Sequence, residues 1–437
     1  MEYSRERYVN ILKERERNGL IKIITGARRV GKSYILNELF FRRLIRDGVR
    51  SSQIIRFAFD SDEDMDLLDS YYSDEDTIIY DKKNRMVNAK KFRAYIMDKI
   101  NDDEMFYLFL DEVQLLENFV GTLNGFLRHK NLDVYVTGSN SRFLSTDIAT
   151  EFKGRGTIVH VFPLMFSEYM EGDVGDVHSA WREYIETGGI PLVSLMKTKE
   201  ERISYLSTLC EETYLKDIIE RNHIRKTGEL SDSLDVVASM IGTPFSVKKL
   251  GNTFKSVKKK AVTDDTLSKF ISYFEDAFLV SKAERYSIKG KKYIGAPYKV
   301  YFEDIGVRNA RLSFRQIEET HIMENIIYNE LRYRGYCVDV GMVDLNERTD
   351  RKDINGQVIY KQKQLEVDFV ATKGSERIYV QSALNVTDPG KLEQEKRPFG
   401  QIDDSYEKML ITKNGLNTII DEKGIIVVDL FEFLCGS

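Results

Sequence analysis

The strongest constraint on the fold of this chain is a loop pattern, G-x-x-x-x-G-K-[ST], at Gly26-Ala27-Arg28-Arg29-Val30-Gly31-Lys32-Ser33. An apolar run at residues 20–25 precedes the pattern, and apolar residues at helical spacing follow it. This order is typical of a phosphate-binding loop, in which backbone N–H groups and a helix N-terminus face an anion. We therefore predict a buried parallel strand, the loop and a helix that begins near Lys32.

The residue types in the loop fit a nucleoside triphosphate and Mg²⁺. The Lys32 ammonium is expected to reach the β- and γ-phosphates, and the Ser33 hydroxyl to bind the metal. The alternative is a glycine-rich turn that carries Lys-Ser by chance. The predicted nucleotide contacts are Gly26, Ala27, Arg28, Arg29, Val30, Gly31, Lys32, Ser33 and Tyr34.

A second buried strand is predicted at residues 106–110, and two acids, Asp111 and Glu112, follow it. An apolar strand that ends in acids is the Walker B arrangement, which delivers a carboxylate to Mg²⁺ beside the phosphates. We predict that Asp111 is the metal ligand, largely through water, and that Glu112 is the general base for the attacking water. The alternative is that the acid pair caps the next helix.

A third strand, at residues 132–136, runs into Thr137-Gly138-Ser139-Asn140. In additional-strand P-loop ATPases, an inserted strand lies between the loop strand and the acid-bearing strand, and its polar tip meets the γ-phosphate and water. Ser139 and Asn140 are therefore sensor candidates, with a helix cap as the alternative. The guanine-specifying pattern N-K-x-D is absent from the sequence, so adenine is preferred.

Arg155 stands just before a further strand, predicted at residues 157–162. An arginine there can project toward the nucleotide of a neighbouring subunit and neutralise charge that develops on the γ-phosphate. Arg155 is thus our arginine-finger candidate in trans, which implies a homo-oligomer. The alternative is an ordinary solvated or salt-bridged arginine.

An acidic stretch that begins at Asp60 follows a strand predicted at residues 53–59. Its spacing fits no calcium-binding loop, so we predict a solvated loop rather than a metal site.

Composition limits the class of protein. The 437 residues are 42% hydrophobic and 31% charged, which fits two or three domains. No apolar run approaches the roughly 20 residues of a membrane span, and the first residues form no signal-peptide pattern. We expect a cytoplasmic protein without a membrane partner. Three isolated cysteines and scattered histidines make a zinc site improbable. The net charge of −5 gives no general attraction to nucleic acid.

The chain resembles the prokaryotic AAA-type ATPases that carry a winged helix and a C-terminal domain of unknown function. The resemblance implies an ATP-driven switch related to the origin-recognition and signalling ATPases, with a Gly-x-Pro segment in the helical lid near the nucleotide. It rests on residues 26–33, 106–112, 137–140 and 154–155, on Pro163-Leu164-x-Phe166-x-Glu168-Tyr169, and on Gly188-Gly189-Ile190-Pro191.

The middle region, residues 171–320, is predicted to hold the helical lid and a winged helix. Ser246 is a plausible N-cap of a short helix, Thr263 begins a longer one, and residues 287–300 suggest a β-wing. Exposed lysines here could contact DNA phosphates, with a solvated face or protein docking as the alternative. The basic residues are Lys248, Lys249, Lys255, Lys258, Lys259, Lys260, Lys289, Lys291 and Lys292.

The C-terminal region, residues 321–437, resembles a restriction-endonuclease-type core. Glu324 and then Glu366-Val367-Asp368 match its acids, and a polar stretch from Asp344 to Lys363 separates its strands. Such a nuclease needs an acid pair for Mg²⁺ and a lysine two residues after the second acid. Here Gln381 replaces the second acid and Ala383 the lysine. We expect a nuclease-like fold without cleavage.

The predicted fold class is therefore α/β: a P-loop parallel sheet with helices on both faces at residues 1–170, then the winged-helix and nuclease-like domains. The leading functional hypothesis is an ATPase that couples its nucleotide state to the C-terminal domains. One alternative is a DNA-binding regulator that responds to ATP. Another is an ATP-gated nuclease.

Overall fold

The computed structural model describes residues 2–71, 80–81, 86–138, 152, 154–172, 174–259, 262–352, 358–386, 388–413 and 418–436. The chain divides into two compact units. The first comprises residues up to 163 together with 276–278, and the second comprises residues 164–275 and those from 279 onward. Each helix in the described ranges is too short or too polar to cross a membrane.

The first unit is built on a parallel sheet. The strands described in the first unit are β1 (Ile21–Thr25), β2 (Ile54–Ala58), β3 (Tyr80–Asp81), β4 (Met86–Val87), β5 (Phe106–Asp111), β6 (Leu132–Thr137) and β7 (Gly156–His160). Five of them form the sheet in the order β2-β5-β6-β1-β7, all parallel, and β3 pairs with β4 in a separate hairpin. Because β6 lies between β1 and β5, the predicted inserted strand is confirmed.

Helices cover both faces of this sheet. Phe40 packs against Tyr135 of β6 on one face, with ring centroids 5.0 Å apart. Phe92 packs against Phe57 of β2 on the other face, also at 5.0 Å. Strands buried on both faces are mostly apolar, which explains their apolar runs, and the buried Lys22 of β1 and Asp133 of β6 form an ion pair with each other. The helices are α1 (Glu6–Glu14), α2 (residues 32–46, with a π-helical stretch Ile35–Phe40), α3 (Asp62–Tyr71), α4 (Ala89–Lys99) and α5 (Phe119–Phe126).

The prediction of an acidic loop is wrong for residues 62–71, which form α3, whereas Asp74, Glu75 and Asp76 of the same stretch lie outside the described residues. Asp62, Glu63 and Asp64 occupy the first turn of this helix. Negative side chains there are stabilised by the positive end of the helix dipole. An acidic run therefore favours a helix start as well as a solvated loop.

The second unit contains the remaining helices and a mixed sheet. Ser246 caps one helix, as predicted, by accepting a hydrogen bond from the Lys249 N–H at 3.2 Å. The helices are α6 (Phe166–Tyr169), α7 (Val177–Thr187), α8 (Pro191–Ser194), α9 (residues 199–222), α10 (Thr227–Ser239), α11 (residues 247–258), α12 (Asp264–Asp276), α13 (Ile305–Arg311), α14 (Glu319–Tyr333), α15 (Pro389–Lys396) and α16 (Leu430–Cys435).

Eight strands form the second sheet in the order β14-β15-β13-β12-β11-β10-β8-β9. The β8–β9 hairpin is continuous with the C-terminal strands, because β8 pairs in parallel with β10. The strands are β8 (Val280–Ser287), β9 (Lys292–Phe302), β10 (Cys337–Lys352), β11 (Val358–Lys373), β12 (Glu376–Ala383), β13 (Glu407–Thr412), β14 (Ile419–Ile420) and β15 (Ile425–Asp429).

The polar stretch from Asp344 to Lys363 was expected to separate strands, and that expectation is wrong. β10 and β11 continue through it as an antiparallel pair, with Asp344 opposite Gln364 and Leu345 opposite Lys363. Strand pairing uses backbone groups, so polar side chains do not prevent it where the strands are solvated. The sequence predicts strands near residues 336–340 and 364–370, so the polar composition hid the rest of β10 and β11.

Candidate functional site

The phosphate-loop sequence follows β1 directly, and its glycines adopt conformations that favour glycine. Gly26 has a φ of 140° and Gly31 a φ of 94°. A Cβ atom on Gly26 would lie 2.2 Å from the carbonyl oxygen of Val161, so a larger residue would force the backbone apart. The side chain of Val30 is fully buried and anchors the loop.

Lys32 is the first residue of α2, and its ammonium lies inside the loop. The side chain is 6% exposed. Nζ donates hydrogen bonds to the carbonyl oxygens of Gly26 at 3.0 Å and Ala27 at 2.7 Å. A cation is thus held at the N-terminus of a helix, where the N–H groups and the helix dipole also favour an anion.

The other predicted loop contacts differ in exposure. Arg28 is half-buried, whereas Arg29, Ser33 and Tyr34 are exposed. Arg29 has a φ of 67°, which helps the loop to curl. The Tyr34 hydroxyl donates a hydrogen bond to the carboxylate of Glu2. The Ser33 hydroxyl therefore lies on an accessible surface at the start of α2.

The acid pair at the end of β5 is oriented by a threonine from β6. Asp111 is 8% exposed, and the Thr137 hydroxyl donates to its Oδ1. The Glu112 N–H lies 3.2 Å from the same oxygen and 3.2 Å from Thr137 Oγ1. The side-chain amide of Gln114 donates to Oε2 of Glu112. Both carboxylates are therefore positioned by hydrogen bonds from neutral donors.

Strand register brings the loop and the acids to one edge of the sheet. Ile24 of β1 pairs with Thr137 of β6, and Leu110 of β5 pairs with Val136. The phosphate loop begins one residue after β1 ends, at Gly26. Since the carboxyl ends of parallel strands lie at the same end of the sheet, the anion site and the two carboxylates meet there. The word edge denotes this end of the sheet.

Asp60 joins this edge, although the sequence suggested only a solvated loop. Ala58 of β2 pairs with Asp111, and the Phe59 N–H donates to the Asp111 carbonyl oxygen at 3.1 Å. Desolvation raises the pKa of Asp60, and the negative charges of Glu112 and Asp111 raise it further. The sequence signal for Asp60 was its position as the first acid after a buried strand.

Arg155 lies at the opposite edge. It is exposed and immediately precedes β7, whose Gly156 pairs with Ile21 at the start of β1. β1 is five residues long, which at ~3.3 Å per residue separates this arginine from the loop by about 16 Å. Arg155 therefore cannot serve the phosphate loop of its own subunit in this arrangement.

The predicted sensors, Ser139 and Asn140, lie outside the described residues, so their role stays a prediction. Thr137, three residues before Asn140, is a site residue to which no sequence prediction gave a role. A polar residue that closes a buried strand next to the acid-bearing strand was the signal for it.

The Gly188-Gly189-Ile190-Pro191 segment has a structural explanation in the second unit. Asp304 accepts hydrogen bonds from the N–H groups of Gly189 at 2.8 Å and Val307 at 2.9 Å. A Cβ on Gly189 would lie 2.2 Å from the Leu164 carbonyl oxygen. Burial raises the pKa of Asp304 to about 6, against the effect of these N–H donors. The glycine pair thus permits close packing around a buried carboxylate.

The acids of the predicted nuclease-like core also come together, in the second unit. Glu324 of α14 and both Glu366 and Asp368 of β11 surround the ammonium of Lys299, which β9 supplies. No motif in the sequence points to Lys299. Gln381 lies beside them, and its Oε1 accepts a hydrogen bond from the Asp368 N–H at 3.2 Å.

A known family of protein domains matches most of the first unit, and the matches to other protein sequences extend beyond it. A family profile described as an AAA domain matches residues 18–170, and one described as a domain of unknown function (DUF8612) matches residues 178–318. An uncharacterized protein of Haemophilus influenzae is 30% identical over 438 residues, 99% of this chain and 98% of that protein. The uncharacterized protein MJ1544 of Methanocaldococcus jannaschii is 27% identical over 384 residues, 84% of this chain and 76% of its own length.

Among solved structures, the Aeropyrum pernix ORC1 protein in complex with DNA aligns with 71% of this chain and 92% of its own at 12% identity. The TM-score of 0.30 is too low for any argument to rest on it.

The AAA-domain match, residues 18–170, includes the phosphate loop, the acid pair and all the strands of the parallel sheet. The match to the H. influenzae protein spans nearly the whole of both chains. The chain therefore belongs to the same family as that protein, and its first unit carries an AAA-type P-loop ATPase domain.

Proposed function

We propose that the chain is an ATP-hydrolysing molecular switch of the AAA type. The observation that supports this proposal is the meeting of a lysine-bearing phosphate loop with an acid pair at one edge of the sheet. An anion site beside two carboxylates is what phosphoryl transfer to water requires. Adenine is favoured because the guanine-specifying pattern is absent from the sequence.

The residues at this edge fit Mg²⁺ as a cofactor. Ser33 offers an exposed hydroxyl, and Asp111 offers a carboxylate whose donors are uncharged. In the part of the chain that the structure describes, no three His, Cys, Asp or Glu residues could hold a metal by themselves. Mg²⁺ in nucleotide sites uses one or two carboxylates plus water and phosphate oxygens, so a closed protein site is not needed. Bound Mg²⁺ would neutralise charge on the phosphates.

Glu112 is the proposed general base. It would accept a proton from the water whose oxygen attacks the γ-phosphorus, while the bond to the leaving β-phosphate oxygen breaks. Lys32 would hold the β- and γ-phosphates during this step. The Gln114 amide would keep the Glu112 carboxylate oriented.

Two further residues complete the proposed mechanism. Asn140 would sense the γ-phosphate and the attacking water. Arg155 would act in trans, because it lies at the edge opposite the loop of its own subunit. This requires a homo-oligomer in which each nucleotide receives an arginine from a neighbouring copy.

The proposed output of the switch is a rearrangement of residues 171–320, as lid and winged helix, and of residues 321–437, as a nuclease-like domain. A cytoplasmic DNA or protein is the proposed target. Lys289, Lys291 and Lys292 are exposed at the tip of the β8–β9 hairpin, which favours DNA. If these three contact phosphates, affinity for duplex DNA should fall roughly 40-fold between 50 and 200 mM salt. Salt-independent affinity would exclude this contact.

The test of the ATPase proposal is Glu112→Gln in the full chain. We expect ATP affinity close to that of the wild type and a kcat lower by about 100-fold or more, because the neutral amide cannot accept the proton. The measurements are equilibrium ATP binding and phosphate release. Glu117→Gln, an exposed glutamate after the same strand, is the matched control.

Two results would refute parts of this mechanism. Near-normal turnover of Glu112→Gln would remove Glu112 as the base. Unchanged ATP affinity of Lys32→Ala would remove the loop as the phosphate site.

A further inference from the structure

A buried charge cluster lies in the second unit, apart from the ATPase domain. It joins Lys299 of β9 to Glu324 of α14 and to Glu366 and Asp368 of β11. Lys299 Nζ lies 2.8 Å from Glu324 Oε1, 2.7 Å from Glu366 Oε1 and 3.7 Å from Asp368 Oδ1. Lys299 is 3% exposed, and Glu324 and Asp368 are 6% and 8% exposed. One ammonium thus contacts two buried carboxylates and a third, Glu366, whose side chain is 34% exposed.

The carboxylates are also fixed by other donors. The Tyr301 hydroxyl donates to Glu324 Oε1 at 2.6 Å, the same oxygen that receives Lys299. Ser382 donates to Asp368 Oδ2 twice, from its N–H at 2.8 Å and from its hydroxyl at 3.0 Å. The cluster is therefore oriented around the ammonium by specific hydrogen bonds.

The resemblance to a nuclease core implies Mg²⁺ at these acids, but their arrangement does not fit a metal. Mg²⁺ and Mn²⁺ need carboxylate oxygens that converge at about 2.0–2.2 Å on one centre. Within the described ranges, no group of three acidic, histidine or cysteine side chains meets that requirement. The position between the carboxylates is taken by Lys299 Nζ.

We propose that Lys299 is a built-in cation that replaces the divalent metal of a nuclease-like site. Buried carboxylates without a counter-ion would be strongly destabilising, and the ammonium supplies the required charge. It also ties the β8–β9 hairpin to α14 and to β11. The cluster accordingly needs no metal in the arrangement that Lys299 holds, and removal of the ammonium would let the carboxylates move together around a divalent cation.

Access for a metal exists. A cavity of about 120 Å³ borders the cluster and is lined by Lys299 and Glu366, together with Pro244, Arg285, Tyr298 and Val340. Truncation of Lys299 would enlarge this space for water ligands of an incoming ion.

The experiment is a Mn²⁺ titration, without nucleotide, of full-length wild type and Lys299→Ala, followed by electron paramagnetic resonance. We expect the variant to bind one Mn²⁺ per chain more than the wild type and to gain thermal stability when Mn²⁺ is added. Lys373→Ala, which removes an exposed lysine of β11, should behave as the wild type. Adding Glu324→Gln to Lys299→Ala should abolish the extra site.

Two outcomes with folded proteins would overturn the proposal. One is a folded Lys299→Ala variant that gains no Mn²⁺ site. The other is a wild-type Mn²⁺ site that Glu324→Gln removes, since a metal would then bind with Lys299 present. If Lys299→Ala is unfolded without metal, Mn²⁺ should restore its helical circular dichroism, and failure to do so would equally contradict the proposal.

Discussion

Two groups of carboxylates in this chain, at the edge of the parallel sheet and around Lys299, are held in different ways. Asp111 receives hydrogen bonds from uncharged donors, the Thr137 hydroxyl and the Glu112 N–H. Glu324 receives one from the ammonium of Lys299. A neutral donor orients a carboxylate and leaves its negative charge for an incoming cation, whereas an ammonium both orients and neutralises it. The donors, more than the number of acids, indicate whether such a site needs an added cation.

The pKa shifts of Asp60 and Glu324, one acid from each group, differ in the same sense. Desolvation and the charges of Glu112 and Asp111 hold the pKa of Asp60 above its ordinary value. At the other cluster, burial works to raise the pKa of Glu324, but the charge of Lys299 and several hydrogen bonds hold it below its ordinary value. An added cation at the edge of the parallel sheet would therefore relieve the repulsion at Asp60, whereas Glu324 already has a cation beside it.

The largest effect is expected at Arg155, which would supply a positive charge to the ATP site of a neighbouring copy. An arginine finger contributes about 10³ to 10⁵ in kcat. Arg155→Ala should therefore lower ATP turnover by at least about 10³-fold while ATP affinity changes little. Steady-state phosphate release and equilibrium binding measure the two quantities.

The arginine variant has a direct test of action in trans. Arg155→Ala mixed with Glu112→Gln should recover part of the activity, because some sites then combine an intact Glu112 with an intact Arg155. Arg128→Ala, which removes another exposed arginine of the first unit, is the control. Normal turnover of Arg155→Ala would contradict the arginine-finger proposal. The ATPase site, like the Lys299 cluster, would then need no positive charge from a neighbouring copy.

A smaller effect is expected at Thr137, the neutral donor to Asp111. A hydrogen bond to a charged group contributes about 1.5–3 kcal/mol, which corresponds to roughly 10- to 150-fold in rate if the metal ligand loses its orientation. Thr137→Val should lower kcat within that range, and Thr137→Ser should restore most of it. Equal activity of the valine and serine variants would show that the hydroxyl does not orient the carboxylate.

The parallel sheet and its edge could be predicted because their signals are local. A strand buried on both faces reads as one apolar run, and the loop, Asp111 and Glu112 each follow such a run directly. Parallel pairing then brings these ends together. The β10–β11 hairpin gave no such signal, because solvated paired strands show no apolar alternation for the sequence to reveal.

Lys299 and Asp304 could not be predicted because their partners are distant in sequence. Lys299 meets Glu324 and Glu366 across three separate elements of the second unit, and Asp304 meets Gly189 at a separation of 115 residues. The motif places a lysine at position 383, where the chain has Ala383. Lys299 reaches the same acids from another strand, so no fixed spacing in the sequence could indicate it.

The smallest effect is a pH dependence at Asp368, the carboxylate farthest from Lys299 Nζ. Burial and the charge of Glu324 raise the pKa of Asp368 to about 7, against the pull of Lys299. An unfolded aspartate titrates near ~3.9, so the folded state retains a proton that the unfolded state releases between about pH 4 and 7. This contribution to the free energy of unfolding therefore falls as pH rises through that range.

Asp368→Asn removes this titration. The free energy of unfolding of the variant, minus that of the wild type, should increase by about 2 kcal/mol from pH 5 to pH 7.5, and urea unfolding at several pH values measures it. Asp403→Asn, an exposed aspartate of the second unit, should leave the difference constant. A constant difference for Asp368→Asn would mean that the carboxylate is ionised throughout this range, so that Lys299 stabilises all three carboxylates in their charged form. The expected slope would instead show that one ammonium satisfies two carboxylates and leaves the third to hold a proton near neutral pH.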